Sequence, residues 1–225
     1  GDWPAFRGGP ARIGVASRGS SPGEPATVQR YDRGVGSVSS PVVASGWLYI
    51  GGFQGNLYAL DADTMTANWT VSLSRWVTYS PAVGNDTVFV GGQNGTLYAV
   101  DATTGNLRWK RPLSDRIIRS SPVVWNGTVF IASNDGVHAL RARTGRPLWN
   151  DTSGGPSLSS PAVADGTVFV AYYGGTVHAL NATTGAERWR RELNSTTSTT
   201  PAVRNGTVYI GDRRGRFYAF STETG

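Results

Sequence analysis

Alanine and tryptophan recur along this chain with a period of forty residues. The recurring positions are Ala59, Ala99, Ala139, Ala179 and Ala219, and Trp69, Trp109, Trp149 and Trp189. A fixed period of this length indicates one supersecondary unit that is stacked several times, because a single unit cannot bury its apolar face alone. The repeat therefore constrains the fold more tightly than composition does.

Each unit carries the pattern of short β-strands joined by tight turns. Residues 87–90 and 207–210 are β-branched and aromatic, which is typical of strands. Pairs of residues that tolerate positive φ precede such runs, as hairpin turns require. These pairs are Asn85-Asp86, Asn126-Gly127, Asp165-Gly166 and Asn205-Gly206. Helical periodicity is absent from the sequence.

We count four strands in each unit, and four antiparallel strands in about forty residues is the pattern of a propeller blade. The first strand begins at a Ser-Pro or Thr-Pro pair, and the fourth carries the recurring tryptophan. The fold class is therefore predicted to be all-β, a single β-propeller domain over residues 1–225. An N-terminal segment at 1–38 precedes blades at about 39–78, 79–118, 119–158, 159–198 and 199–225.

The units resemble the tryptophan-docking repeats of quinoprotein-type propellers, the pyrroloquinoline quinone (PQQ)-like family. The motif Ala-x-Asp-x-x-Thr-Gly-x-x-x-Trp is fullest from Ala99 to Trp109. It is partial elsewhere: Arg141, Asn181 and Ser221 replace the Asp, and Met65 replaces the Gly. The resemblance implies the propeller fold and structural docking by Trp69, Trp109, Trp149 and Trp189. One propeller fold serves many roles, so the resemblance alone does not identify an activity.

Two interpretations of the ring remain open. Gln29 lies one period before Trp69, so residues 27–31 have the register of a fourth strand. That segment could complete the fifth blade and close a five-bladed ring without an exposed edge. Alternatively, further blades follow residue 225, as in family members with seven or eight blades.

The charge and cysteine content limit the partners and the chemistry. The net charge is +6, and Lys110 is the only lysine. The arginines are spread through the repeats, apart from a small group at Arg213, Arg214 and Arg216. We therefore expect no nucleic-acid partner. The absence of Cys excludes disulfides, thiolate metal sites and Cys nucleophiles. No stretch approaches the roughly 20 apolar residues of a transmembrane helix.

Aromatic residues and arginines are predicted to meet on one face. In an up-and-down blade, the fourth-to-first and second-to-third connections lie on the same side. Exposed aromatics interleaved with Arg are typical of protein interfaces. The arrangement would also suit an anionic ligand over the axis, and ordinary solvated loops are the alternative. The candidate residues are Arg33, Phe53, Gln54, Arg75, Trp76, Arg116, Arg119, Tyr172, Tyr173, Arg213 and Arg214.

Enzymatic chemistry is not expected. Enzymes of the PQQ-like family hold PQQ over the axis with a calcium ion, an Asp base and often a vicinal disulfide. This chain has no Cys, and its sequence places no Asp or Glu in those roles. No Ser-His-Asp set has a supporting context. We therefore predict no cofactor and no catalytic residues.

The two histidines do not predict a metal site. His138 and His178 occupy the same position in successive units, where they could share a metal. Tyr58, Tyr98 and Tyr218 fill this position in the other units, which favours a packing role.

Eight asparagines form Asn-x-Thr sequons, which are acceptors for N-glycosylation. Turn chemistry explains Asn94, Asn126 and Asn205, but it does not explain Asn68 and Asn150, which adjoin recurring tryptophans. The eight are Asn68, Asn85, Asn94, Asn126, Asn150, Asn181, Asn194 and Asn205.

The sequence thus predicts a secreted or cell-surface glycoprotein that acts as a non-enzymatic scaffold. It would bind other proteins or self-associate, similar in kind to the propeller scaffold of the outer-membrane β-barrel assembly machine. The alternative is a ligand- or cofactor-binding propeller, such as a fragment of a PQQ-dependent dehydrogenase.

Overall fold

The computed structural model describes residue 36, residues 39–114 and residues 118–225. Every regular element in these ranges is a β-strand. None of the described residues forms a helix that could cross a membrane. The strands are β1 (Val42–Ala44), β2 (Trp47–Gly51), β3 (Asn56–Asp61), β4 (Ala67–Ser72), β5 (Ala82–Gly84), β6 (Thr87–Gly91), β7 (Thr96–Asp101), β8 (Leu107–Pro112), β9 (Val123–Trp125), β10 (Thr128–Ser133), β11 (Gly136–Arg141), β12 (Pro147–Asp151), β13 (Ala162–Ala164), β14 (Thr167–Ala171), β15 (Thr176–Asn181), β16 (Glu187–Glu192), β17 (Ala202–Arg204), β18 (Thr207–Gly211) and β19 (Phe217–Ser221).

The strands form successive antiparallel sheets in which strand order follows chain order. Four sheets have four strands each (β1–β4, β5–β8, β9–β12 and β13–β16), and β17–β19 form a three-stranded sheet. The first strands of consecutive sheets are neighbours, so they form the inner layer around the axis. The predicted all-β propeller of four-stranded blades is confirmed. The proposed closing strand at 27–31 lies outside the described residues.

The hairpins between the first and second strands use the expected turn chemistry. Asn126 and Gly127 have φ values of 45° and 71°, and Asn85 and Asp86 have 50° and 53°. Positive φ at both central residues defines the type I′ turn, whose twist matches the strands on either side. The first blade uses Ser45 and Gly46 in the same way, a turn that the sequence analysis did not identify.

The interval of ten residues between the recurring Ala and Trp has a simple cause in strand pairing. Ala99 lies directly opposite Trp109, and the register shifts immediately after Ala99. The same pairing and the same irregularity occur at Ala59, Ala139 and Ala179. These alanines are fully buried, because the tryptophan strand bulges over them.

Each tryptophan contacts the following blade rather than its own turn. The Nε1 of Trp109 donates a hydrogen bond to the carbonyl oxygen of Ala142 at 2.9 Å. Its ring lies against Gly145, where an added Cβ would meet ring atoms at 2.6 Å. Equivalent hydrogen bonds join Trp69 to Ala102, Trp149 to Ala182 and Trp189 to Thr222. The repeated motif therefore joins one blade to the next.

The hydrophobic core is divided among the junctions between blades. One cluster joins the first and second blades and includes Tyr49, Leu57, Val88 and Tyr98. Corresponding clusters fill the three later junctions. Since burial depends on the neighbouring blade, the blades stabilise one another.

Two successive serines before β9 have different partners. Ser120 is buried, and its Oγ donates to the Ala132 carbonyl at 2.7 Å and accepts from the Ala132 amide at 3.0 Å. The next residue reaches the adjacent blade, because the Ser121 amide donates to the Oγ of Ser160 at 2.9 Å. The Ser-Ser-Pro segment thus fixes both the second strand and the neighbouring inner strand.

Candidate functional site

The connections on the predicted interaction face are held together by backbone hydrogen bonds. In each case the turn between the second and third strands of a blade is involved. The amide of its second residue donates a hydrogen bond to a backbone carbonyl oxygen in the loop that leads into the first strand of the same blade. These bonds run from Phe53 to Gly36 (2.9 Å), Gln93 to Trp76 (3.2 Å), Tyr173 to Pro156 (2.8 Å) and Arg213 to Thr196 (3.0 Å). The side chains on these turns are therefore carried by a fixed backbone.

Three aromatic side chains of this face are open to solvent. Phe53, Trp76 and Tyr173 are 42%, 40% and 38% exposed. The guanidinium carbon of Arg75 lies 5.4 Å from the centroid of the Trp76 ring, within the range of a cation–π contact. Nη1 of Arg213 donates to the Tyr173 hydroxyl at 3.3 Å. Two of the three exposed rings are therefore each in contact with a guanidinium group.

The face is also positively charged. Its exposed cations are Arg75, Arg119, Arg213 and Arg214, and Gln54 is exposed beside Phe53. Within residues 39–114 and 118–225, none of these four arginines takes part in an ion pair with a carboxylate. Their charge is thus available to an anionic group. The predicted Arg33 and Arg116 lie outside the described residues.

Tyr172 does not belong to the exposed face, contrary to the sequence-based prediction. Its side chain is fully buried, and its ring occupies the space beside Gly154. The hydroxyl donates to Oδ2 of Asp151 at 2.6 Å, so the ring points between blades. Tyr173, the next residue, lies in the turn that follows β14, and its side chain is exposed.

Tyr172 is part of a buried polar cluster at the junction of the third and fourth blades. Nδ1 of His178 lies 3.2 Å from Oδ2 of Asp151 and 3.7 Å from Oε2 of Glu187. Burial, reinforced by the bond to Asp151, raises the pKa of Tyr172. Burial alone would raise the pKa of Asp151, but hydrogen bonds from Ser153 and Tyr172 outweigh it and lower that pKa. These contacts join two blades by charged hydrogen bonds.

A second polar group brings Ser, His and Asp together, although the sequence gives no sign of such a set. Nε2 of His138 lies 2.9 Å from Oγ of Ser133 and 3.1 Å from Oδ1 of Asp135. A catalytic triad needs the acid and the nucleophile on opposite ring nitrogens. Here both contact the same nitrogen, and Ser133 is fully buried. The arrangement therefore cannot relay a proton from Ser133 to His138 and on to Asp135.

Residues 39–114 and 118–225 show no cluster of metal-binding side chains. No group of three or more His, Cys, Asp or Glu in that part of the chain is placed to hold a metal ion. The inner strands begin with hydroxyl residues that are already bonded to backbone or to one another. His138 and His178 contact different carboxylates. We therefore derive no chemical step through a bound cofactor.

The sequons lie on the surface of the described structure. Asn181 is half-buried, and its Oδ1 accepts hydrogen bonds from the Thr183 and Thr184 amides in a turn. The other seven asparagines are exposed: Asn68, Asn85, Asn94, Asn126, Asn150, Asn194 and Asn205.

Comparison with known structures supports the propeller assignment. Over 87% of its length, the chain matches the crystal structure of BamB from Moraxella catarrhalis with a TM-score of 0.76 and 26% identity. It also matches a europium-containing methanol dehydrogenase (TM-score 0.74, 16% identity) over 98% of its length. The quinohemoprotein alcohol dehydrogenase from Comamonas testosteroni (TM-score 0.69, 18% identity) matches over 98% as well. The two dehydrogenases show a shared fold alone.

The chain spans only part of these proteins: 61% of the BamB chain, 58% of the methanol dehydrogenase and 49% of the alcohol dehydrogenase. No curated protein sequence matches it. The family model described as outer membrane protein assembly factor BamB matches residues 57–158 and again residues 133–225. These matches together cover most of the sequence, so the chain belongs to the BamB family of β-propellers.

Proposed function

We propose that this protein is a non-enzymatic, extracytoplasmic scaffold that binds an acidic protein partner through its arginine-aromatic face. This face consists of Phe53, Arg75, Trp76, Arg119, Tyr173, Arg213 and Arg214. The observation that carries the proposal is that connections on one face hold three exposed rings and four exposed arginines without a described carboxylate partner, with two ring–guanidinium contacts among them. Aromatic and Arg side chains are the groups that most often dominate binding energy at protein interfaces.

The chemistry of the partner follows from the face. Carboxylates of the partner would pair with the guanidinium groups of this face, which bind carboxylates in a bidentate geometry. Apolar groups of the partner would cover Phe53, Trp76 and Tyr173. Because the loop backbone is already fixed by hydrogen bonds, little ordering is needed on binding. The alternative is self-association, in which a second copy of this chain binds the same surface.

The test compares two variants that each remove positive charge from different faces. Arg75→Ala/Trp76→Ala removes the cation–π pair, whereas Arg143→Ala removes an exposed arginine from the β11–β12 turn on the opposite face. Cross-linking and co-purification from the native source should recover a partner with wild-type protein and Arg143→Ala. The double variant should lose it while its circular dichroism stays unchanged. Retention by the double variant would refute this face.

The compartment and the glycans have a separate test. We expect the intact mass of the protein from its native source to exceed the polypeptide mass because of sugars on mapped Asn-x-Thr peptides. A bare polypeptide mass would remove the glycoprotein part of the proposal. Titration with PQQ and calcium tests the cofactor-binding alternative. Saturable quenching of tryptophan fluorescence would support that alternative, and a flat titration would reject it.

A further inference from the structure

The fourth strands of the first four blades are edge strands. In the described structure β4, β8, β12 and β16 stand at the ends of their sheets, and each pairs with one strand only. Their outward N–H and C=O groups are a template for pairing with another chain. Soluble β proteins protect such edges, most often with charged side chains. We call these four the outer strands.

Two outer strands have this charge protection beside the tryptophan. In β8, Arg108 and Lys110 stand on either side of Trp109, and in β16 Arg188 and Arg190 stand in the same positions. All four cations are exposed. Arg108 pairs with Asp101 and Arg190 with Glu187 of their own sheets. A strand that approached either edge would still have to desolvate charged groups near its centre.

The other two outer strands have no charge at these positions. In β4 the flanking residues are Asn68 and Thr70, and the whole strand Ala67–Ser72 carries no charged side chain. In β12 they are Leu148 and Asn150. The only charge of β12 is Asp151 at its end, which is 13% exposed and faces His178. β4 and β12 have the bulge that all outer strands share, and β12 begins at Pro147, but both lack the exposed cations of β8 and β16.

The two sequons on outer strands fall on these two edges without exposed cations. Asn68 begins the sequon of β4 and Asn150 that of β12, and both are exposed. The other six sequon asparagines lie in turns or loops or at the end of β15. The Asn68 amide makes one long hydrogen bond, 3.3 Å to the Thr103 carbonyl. The sequons thus occupy the positions that hold cations in β8 and β16.

We propose that N-linked oligosaccharides at Asn68 and Asn150 protect β4 and β12 against edge-to-edge pairing, as arginine and lysine protect β8 and β16. The inference rests on the proposed glycosylation. Paired strands lie about 4.8 Å apart. A sugar attached near the middle of the edge fills that space with a hydrated group, so a second strand cannot reach the backbone.

The test uses protein from the native source, with peptide mapping and light scattering over a range of concentrations. Asn68→Gln/Asn150→Gln removes both sequons without adding charge. Asn68→Arg/Asn150→Arg also removes both sequons, but it places cations in β4 and β12 at positions that hold cations in β8 and β16. Asn94→Gln/Asn194→Gln is the matched control, because it removes two exposed loop sequons. Circular dichroism confirms that each variant is folded.

We expect occupied sugars at both sites, and at least a doubling of apparent mass for the first Gln variant as concentration rises. The Arg variant and the loop control should keep the wild-type association state. The inference is wrong if Asn68→Gln/Asn150→Gln keeps the wild-type association state. It is also wrong if the folded Asn68→Arg/Asn150→Arg variant associates as strongly as that Gln variant. If sugars map elsewhere but not to Asn68 and Asn150, the inference fails while the glycoprotein proposal stands. If no site is occupied, both fail.

Discussion

The contact between a tryptophan and the glycine of the next blade can be measured with two glycines of the third blade. Gly145 and Gly127 have φ values of 66° and 71°, so alanine meets the same backbone strain at both. At Gly145 an added Cβ would lie 2.6 Å from the Trp109 ring, whereas at Gly127 it meets nothing within 4 Å. The pair therefore separates backbone strain from the docking contact.

The expected magnitudes follow from these two terms. A left-handed alanine costs about 1–2 kcal/mol, and the stiffer unfolded chain offsets about 0.4–1 kcal/mol. Gly127→Ala should therefore lower the free energy of unfolding by about 1 kcal/mol. Gly145→Ala adds the overpacking of a filled site, typically about 1–3 kcal/mol, so its total should be about 2–4 kcal/mol.

The assay is urea unfolding followed by circular dichroism, with the midpoints compared at equal slope. In a Trp109→Ala background, the cost of Gly145→Ala should fall to that of Gly127→Ala, because the clashing ring is gone. Equal costs for the two glycine variants in the wild-type background would refute the reasoning. Met65 occupies the position of Gly145 in the first blade with a φ of 57°, so the backbone conformation of this turn can accept a side chain.

Three further predictions concern single contacts. Trp109→Ala should cost about 3 kcal/mol in unfolding free energy, since the ring is partly buried; a loss below about 1 kcal/mol would contradict its role between blades. The hydrogen bond from Arg108 lowers the pKa of Asp101 from 3.8 to about 2, so its stabilisation is complete above about pH 4 and is lost toward pH 2. Urea unfolding at pH 7 and at pH 3 measures how much unfolding free energy is lost on acidification, and this loss should be smaller in Asp101→Asn than in wild type. An equal loss in the two proteins would show that the Asp101–Arg108 contact does not stabilise the fold. Ser120→Ala should cost about 1–3 kcal/mol in the same assay because the buried Ala132 backbone loses its partner, and a neutral result would show that another group replaces it.

Part of the candidate site was predictable from the order of the strands. Antiparallel blades place alternate connections on one face, and Phe53, Trp76 and Arg213 lie in such connections. Exposure within a connection was not predictable, because neighbouring residues point in opposite directions. Tyr172 and Tyr173 were chemically equivalent in the sequence, yet the space beside Gly154 and the carboxylate of Asp151 bury only the first.

The period of forty, the strand composition and the turn pairs determined the blade and its repetition, because these depend on local preferences and on spacing along the chain. Tertiary structure decided which blade receives each contact. The tryptophan and the Ser-Pro hydroxyl both bond across a junction, and the partner of the Trp109 indole in the next blade, Ala142, is 33 residues away. It also placed Ser133 and Asp135 on the same nitrogen of His138, a geometry that depends on side-chain direction and leaves no trace in the order of residues.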